Sequence, residues 1–265
     1  YFVKCMKVFY YAYYCDDSLT MIYLVKIGRE VMKLIIEHLQ KNFEDKKVLE
    51  DISFCFEKGK IYGLLGRNGA GKTTLFNCLN QDLEIDKGDF YLEDNGRKPL
   101  TMSDIGYVLS TPTVPEFLTA REFLKFFIEI NIKNIKNLKT IDQYFDMVNL
   151  LEEDRDRLLK DFSHGMKNKM QMLIQFIAHP DVLLLDEPLT SLDVVVADEM
   201  KKLLKSIKKE HIIIFSTHIM ELAVDLCDEI VILNKGQLSL INKEDLDDDA
   251  FQEKIIKILK DEDHA

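Results

Sequence analysis

The chain has 265 residues, of which 47% are hydrophobic and 31% charged, and its formal net charge is -11. That balance excludes an intrinsically disordered chain, and the sequence has no run near the roughly 18 apolar residues of a membrane helix, so it is not expected to cross a membrane by itself. The acidic excess also argues against a nucleic-acid partner held by bulk electrostatics, because backbone phosphates select basic surfaces.

Five cysteines (Cys5, Cys15, Cys55, Cys78 and Cys227) without CxxC spacing signal neither a disulfide framework nor a zinc site and point to a reducing cytosol. Residues 1–31 stand apart: they hold six of the ten tyrosines and sustain neither helical nor strand periodicity. A membrane-surface arm would need more basic residues, and a signal peptide would need a small-residue cleavage site. The favoured expectation is that the protein starts at Met32 and that this segment is translated upstream sequence.

From Met32 onward the pattern is regular. "KLIIEHL" and "ISFCF" read as strands flanking a turn-like "NFEDKK", and "KIYGLLG" as a strand running into a glycine-rich loop. Lys72 to Leu79 suits a helix, and "FYLED" and "IGYVL" suit further strands. Thr119 and Glu122 form a capping-box pair that opens a helix to about residue 130. The chain from there to about 180 reads as mostly helical, including "IDQYFDMVNLL" and "GMKNKMQMLIQFIA". Strand signals return in "VLLLD", "IIIFS" and "EIVIL", with "NKGQ" as a hairpin turn. Lysines in "KKLLKSIKKEH" alternate with leucines and isoleucine as on the solvated face of a helix, and the acidic tail 242–265 reads as an amphipathic terminal helix. Alternation of strands and helices predicts an α/β fold with a mainly parallel, covered sheet and an inserted helical subdomain at about 112–180.

Two stretches carry chemistry. Gly66, Gly71, Lys72 and Thr73 fit G-x-x-x-x-G-K-[ST] between a strand and a helix. Glycines there let backbone N–H groups turn inward around a polyphosphate, Lys72 reaches its β- and γ-phosphates, and the Thr73 hydroxyl ligates Mg²⁺. In "DVLLLDEPLTSLD" an apolar strand ends in Asp186 and Glu187. Adjacent carboxylates at a buried strand end are costly unless something cationic or polar uses them. Asp186 then serves the metal shell and Glu187 polarises the attacking water.

Over residues 33–241 the sequence resembles the nucleotide-binding subunit of ABC transporters of the bacterial export type. "GRNGAGKTT" resembles its Walker A motif and "LLLDEP" its Walker B motif, "FSHGMKNKM" its signature, "LTSLD" its D-loop with Asp193, and "IIIFSTH" its switch histidine, His218. The resemblance implies a P-loop NTPase core with an antiparallel β subdomain and a helical subdomain, in a nucleotide-binding domain of residues 32–241. It implies ATP and Mg²⁺ as cofactors, with Phe43 stacked on adenine. Gly66, Arg67, Asn68, Gly69, Ala70, Gly71, Lys72, Thr73 and Thr74 would line the phosphates, with Thr73 and Asp186 on the metal. Lys72, Glu187 and His218 would be catalytic. Ser163, His164, Gly165 and Met166 would face the ATP of a paired subunit in a homodimer or heterodimer. The two subunits would power separate transmembrane permease subunits from the inner face of the membrane and export a peptide, drug or lipid-like molecule. Two positions depart from the family: Ser110 stands where glutamine is usual, and His164 where glycine is usual. The rival expectation is a soluble, non-transport ABC ATPase acting on ribosomes or nucleic acid.

Overall fold

The computed structural model describes residues 31–241 apart from 45, 134, 136, 190 and 191. The readings of the first 30 residues as upstream sequence and of 242–265 as an acidic helix lie outside the described residues. The chain divides into Tyr1–Val31 and Met32–Ala265, and all the described residues except Val31 belong to the second unit.

A small antiparallel sheet is built from β1 (Lys33–Phe43), β2 (Lys46–Glu57), β4 (Lys87–Glu93) and β5 (Arg97–Pro99), in the order β2-β1-β4-β5. Leu34 and Ile36 of β1 face inward at strand period, but the next inward residue is Leu39. His38 supplies the extra residue: its φ is 53° and the register slips there against both β2 and β4. The bulge returns Leu39 to the core face. Gly88 packs opposite, where a side-chain Cβ would lie 2.4 Å from the His38 carbonyl.

The large sheet has the order β10-β9-β3-β8-β7-β6, formed by β3 (Ile61–Leu65), β6 (Ile105–Val108), β7 (Val182–Asp186), β8 (Ile212–Thr217), β9 (Glu229–Asn234) and β10 (Gln237–Ile241). All pairs are parallel except β9 with β10. Every residue of β3, β7 and β8 is buried, as expected of strands covered on both faces. Their side chains alternate between two cores. Val182, Leu184, Ile212 and Ile214 pack toward the small sheet and the helix α1 (Lys72–Leu79), whereas Leu183, Leu185, Ile213 and Phe215 pack on the opposite side. That second core also takes in residues of α2 (Ala120–Asn131), α3 (Ile141–Met147), α4 (His164–Ala178), α5 (Val194–Ile207) and α6 (Met220–Leu226).

The expected boundaries of α1, and the Thr119–Glu122 capping box at the start of α2, match the structure. The region between α2 and α4 is less helical than expected. The "IDQYFDMVNLL" helix ends at Met147, because Asn149 takes a left-handed φ of 49° and Leu150 N–H bonds back to the Phe145 carbonyl. From there to α4 the described chain has only two short 3-10 segments, Glu152–Asp154 and Leu159–Asp161. Ion pairs hold it in place: Arg121 bonds Asp142 and Asp156, and Arg155 bonds Asp142 and Asp146. The "NKGQ" turn is as expected, with positive φ at Lys235 and Gly236. The Gly236 carbonyl accepts from Glu50 N–H of β2 at 2.9 Å, so the hairpin ties the large sheet to the small one.

At the opposite end of the parallel strands from the glycine-rich loop, His211 enters β8 with only 2% of its surface exposed. Its Nδ1–H donates to the Pro180 carbonyl (2.6 Å), and its ring lies 4.7 Å from that of His179, which is bonded to Glu210. Burial holds the His211 imidazole below its ordinary value, with the Pro180 bond working the other way. The folded chain therefore binds this proton less readily than the unfolded one, so the stability is complete above the unfolded value of about 6.5 and is lost as pH falls through it. We expect the melting temperature to drop between about pH 7.5 and about pH 6, and to drop less in His211→Gln. An equal drop in both proteins would assign the effect to other groups.

Candidate functional site

The site forms where β3, β7 and β8 end side by side. After β3 the chain must turn at once: a Cβ on Gly66 would lie 2.9 Å from the Leu233 carbonyl of β9, so no side chain fits. Gly71 closes the loop as the N-cap of α1 with φ 105°, a conformation L side chains rarely adopt. No side chain caps this helix and no acidic residue sits in its first turn, so its free N–H groups and positive dipole end remain available to an anion.

Lys72 is only 6% exposed, and its ammonium donates to the Gly66 carbonyl (2.7 Å) and the Arg67 carbonyl (3.2 Å). Burial pulls its proton affinity down, while Glu187, 3.9 Å away, and Asp186 act against that. Thr73 Oγ1 donates to Asp186 Oδ2 at 2.8 Å. Asp186, at the end of β7 and 4% exposed, is bonded on its other oxygen by Ser216 Oγ of β8 at 2.6 Å. The cost of burying that carboxylate is thus offset by hydrogen bonds on both sides. Glu187 follows in a left-handed conformation, φ 47°, with its N–H bonded to both Ser216 Oγ (3.0 Å) and the Ser216 carbonyl (3.2 Å). Its carboxylate accepts from His218 Nδ1–H at 3.1 Å.

Thr73 and Asp186 offer hard oxygens of the kind Mg²⁺ takes, one or two from protein and the rest from phosphate and water. Among the described residues no group of three or more His, Cys, Asp or Glu could cage a metal alone. The donor set fits an ion shared with a bound phosphate. Beside the loop a cleft of about 410 Å³ is lined by Asn68, Gly69, Ala70, Val48, Gly236, Glu50 and three lysines, Lys46, Lys47 and Lys235, an excess of positive charge. A larger cleft of about 630 Å³, near Leu83, Phe90 and Leu100, has its Arg97 paired with Asp89 and no comparable convergence of charge.

The remaining expected residues lie elsewhere. Phe43 ends β1, partly exposed, with the Lys41 ammonium 5.4 Å from its ring centre. Ser163 caps α4 by accepting from Met166 N–H, and a Cβ on Gly165 would lie 3.5 Å from Leu192 and 3.8 Å from Val196. None of the bonds around Lys72, Asp186 and Glu187 reaches His164 or its neighbours. Asp193 caps α5, its carboxylate accepting from Val195 and Val196 N–H. Ser110 is exposed just past β6. Two contributors escaped the sequence reading. Ser216 is one. Tyr107 is the other: its hydroxyl donates to Asn77 and its proton is held tightly by burial and by Asp186. The signal for Ser216 was a polar residue inside the apolar strand "IIIFST".

Comparison with known proteins agrees with this geometry. The family model described as "ABC transporter" matches residues 49–190. An uncharacterized ABC transporter ATP-binding protein of Methanocaldococcus jannaschii is 37% identical over 207 residues, 77% of this chain and 75% of that protein. The ABC transporter ATP-binding protein NatA of Bacillus subtilis is 31% identical over 211 residues, 75% of this chain and 84% of that one. Among solved structures, the Clostridium perfringens protein cbiO1, described as part of the ABC transporter complex cbiONQ, superposes with a TM-score of 0.67 at 26% identity. The match covers 86% of this chain and 93% of that one. Glycine-rich loop, paired carboxylates and sequence relatives converge, and the chain belongs to the ABC transporter ATP-binding family as an ATP-hydrolysing P-loop subunit.

Proposed function

We propose that this chain powers the export of a peptide, drug or lipid-like molecule by ATP-driven pairing of two such subunits, as a homodimer or heterodimer, beneath separate transmembrane permease subunits. The observation that carries the proposal is the meeting of Lys72, Thr73, Asp186, Glu187 and His218 at three adjacent strand ends. The adenine stacks on Phe43, while the N–H groups of Arg67, Asn68, Gly69, Ala70, Gly71 and Thr74 cradle the phosphates. Lys72, now on the Gly66 and Arg67 carbonyls, transfers its donors to the β- and γ-phosphates. Thr73 and Asp186 would hold Mg²⁺, which would supply positive charge to the phosphate oxygens when bound. Glu187 takes a proton from water as its oxygen attacks the γ-phosphorus, the bond to the bridging oxygen breaks, and ADP and phosphate leave. His218 steadies the Glu187 carboxylate and faces the γ-phosphate.

Surface chemistry supports the two partners. Val194 and Val195, 86% and 68% exposed, follow the Asp193 cap, and Leu192 and Val196 on either side of them lie against Gly165, an apolar edge suited to a second copy that receives Ser163, His164, Gly165 and Met166 at its ATP. Phe117 (79% exposed), Phe126, Ile130 and Leu151 form exposed apolar positions in that subdomain, suited to a permease. Among the described residues no helix is long and apolar enough to cross a membrane, so membrane attachment through the permease is part of the proposal. The net charge of -11 supports the absence of a nucleic-acid partner.

Glu187→Gln is expected to lower ATP hydrolysis by about a hundredfold or more while ATP binding persists, measured by phosphate release beside nucleotide titration. Lys72→Ala, by contrast, removes charge-assisted contacts to phosphate and is expected to weaken ATP binding about tenfold or more. Isolation of the native protein from detergent-solubilised membranes is expected to bring a multi-span protein with it, identified by mass spectrometry. Recovery with ribosomes or nucleic acid instead would overturn transport and leave the ATP site standing.

A further inference from the structure

We propose that Ser216 is a positioning residue for hydrolysis: its single hydroxyl orients Asp186 and, through the backbone, aims Glu187 at the γ-phosphate. The inference rests on the assignment of Glu187 as the base. Ser216 is fully buried and pairs directly with Asp186 in the β7–β8 register. Its Oγ–H donates to Asp186 Oδ1 at 2.6 Å, and the same oxygen accepts the Glu187 N–H at 3.0 Å. One atom therefore serves both acidic residues in opposite roles.

The Asp186 carboxylate is thereby fixed in its plane. Thr73 holds Oδ2 and Ser216 holds Oδ1, so the oxygen presented to Thr73 cannot rotate away without leaving the other buried and unbonded. At Glu187 the consequence is conformational. A glutamate at φ 47° occupies a sparsely populated region and persists only where neighbours over-determine it. Two bonds to Ser216, from side chain and carbonyl, do so. They direct the side chain toward His218 and Lys72. The next two residues complete the device: Thr217 Oγ1 accepts from Ile219 N–H at 3.0 Å and fixes the turn that carries His218. Loss of the Ser216 hydroxyl leaves the loop that binds the phosphates intact. It frees the base to wander, and a misplacement of about 1 Å can cost about a hundredfold in rate.

The test compares Ser216→Ala, Ser216→Thr and Ser216→Val in the full chain, with Glu187→Gln alongside, by kcat, KM for Mg·ATP, nucleotide affinity and melting temperature. Thr and Val share shape and any overpacking, so their difference reads the hydroxyl. The expected result is a kcat for Val lower than that for Thr by about tenfold or more, at nucleotide affinities within about twofold of each other. Ser216→Ala is expected to lose kcat by a similar factor without a matching change in KM. Equal kcat for Thr and Val, or a kcat for Ala within about twofold of the unsubstituted chain, would overturn the role of Ser216 while Glu187→Gln remains inactive. Retained hydrolysis in Glu187→Gln would overturn the base assignment and with it the positioning.

Discussion

The Asp186 carboxylate is the constraint on which the site depends. It sits almost out of water at the end of a strand buried on both faces, where an unpaired charge would cost several kcal/mol. Thr73 on one side and Ser216 on the other keep it there. Thr73 lies in the first turn of the helix that follows β3, and Ser216 lies in β8, so the charge draws together the ends of three strands that the parallel sheet has already aligned. The sheet supplies the alignment through apolar burial, and the carboxylate gives that alignment a chemical purpose. His218 and Glu187 then need only short local turns to meet.

Much of this was legible in the sequence, for identifiable reasons. Val182 to Leu185 and Ile212 to Phe215 read as strands because two-sided burial forces continuous apolar runs. The glycine-rich loop was legible because backbone geometry and phosphate chemistry restrict both residue types and spacing. Thr119 with Glu122 marked a helix start because their reciprocal bonds are local. Long-range hydrogen bonds left no such trace. Ser216 meets Asp186 only through the sheet register, thirty positions away in the chain, and a polar residue inside an apolar strand does not by itself name its partner. The helical excess predicted before α4 failed for a related reason. The apolar spacing near Leu150 and Leu151 suits a helix, but Asn149 turns left-handed and the Arg121 and Arg155 ion pairs secure an irregular path. The His38 bulge was equally hidden, since only the broken alternation of its buried neighbours, Ile36 then Leu39, betrays the extra residue.

Some residues serve structure and chemistry together. Asp193 is a helix cap by its bonds and a D-loop residue by resemblance, and Ser163 caps α4 while heading the signature. Capping leaves such side chains at helix N-termini, which is where an approaching phosphate meets the positive end of the dipole. Removal of either would therefore alter local stability together with whatever the residue contributes under the proposed function, and kinetics alone could not separate the two effects.

The hairpin turn at Lys235 and Gly236 bears on how the protein is made. It lines the cleft beside the glycine-rich loop together with Lys46, Lys47 and Asn68, and it is bonded to Glu50 far upstream. A chain emerging from a ribosome can form the small sheet, the glycine-rich loop and the first helix long before this turn exists. The cleft closes only when β9 and β10 have been synthesised and have paired beside β3. Completion of this cleft is therefore a late event in the life of the nascent chain, deferred by the high sequence separation of its walls.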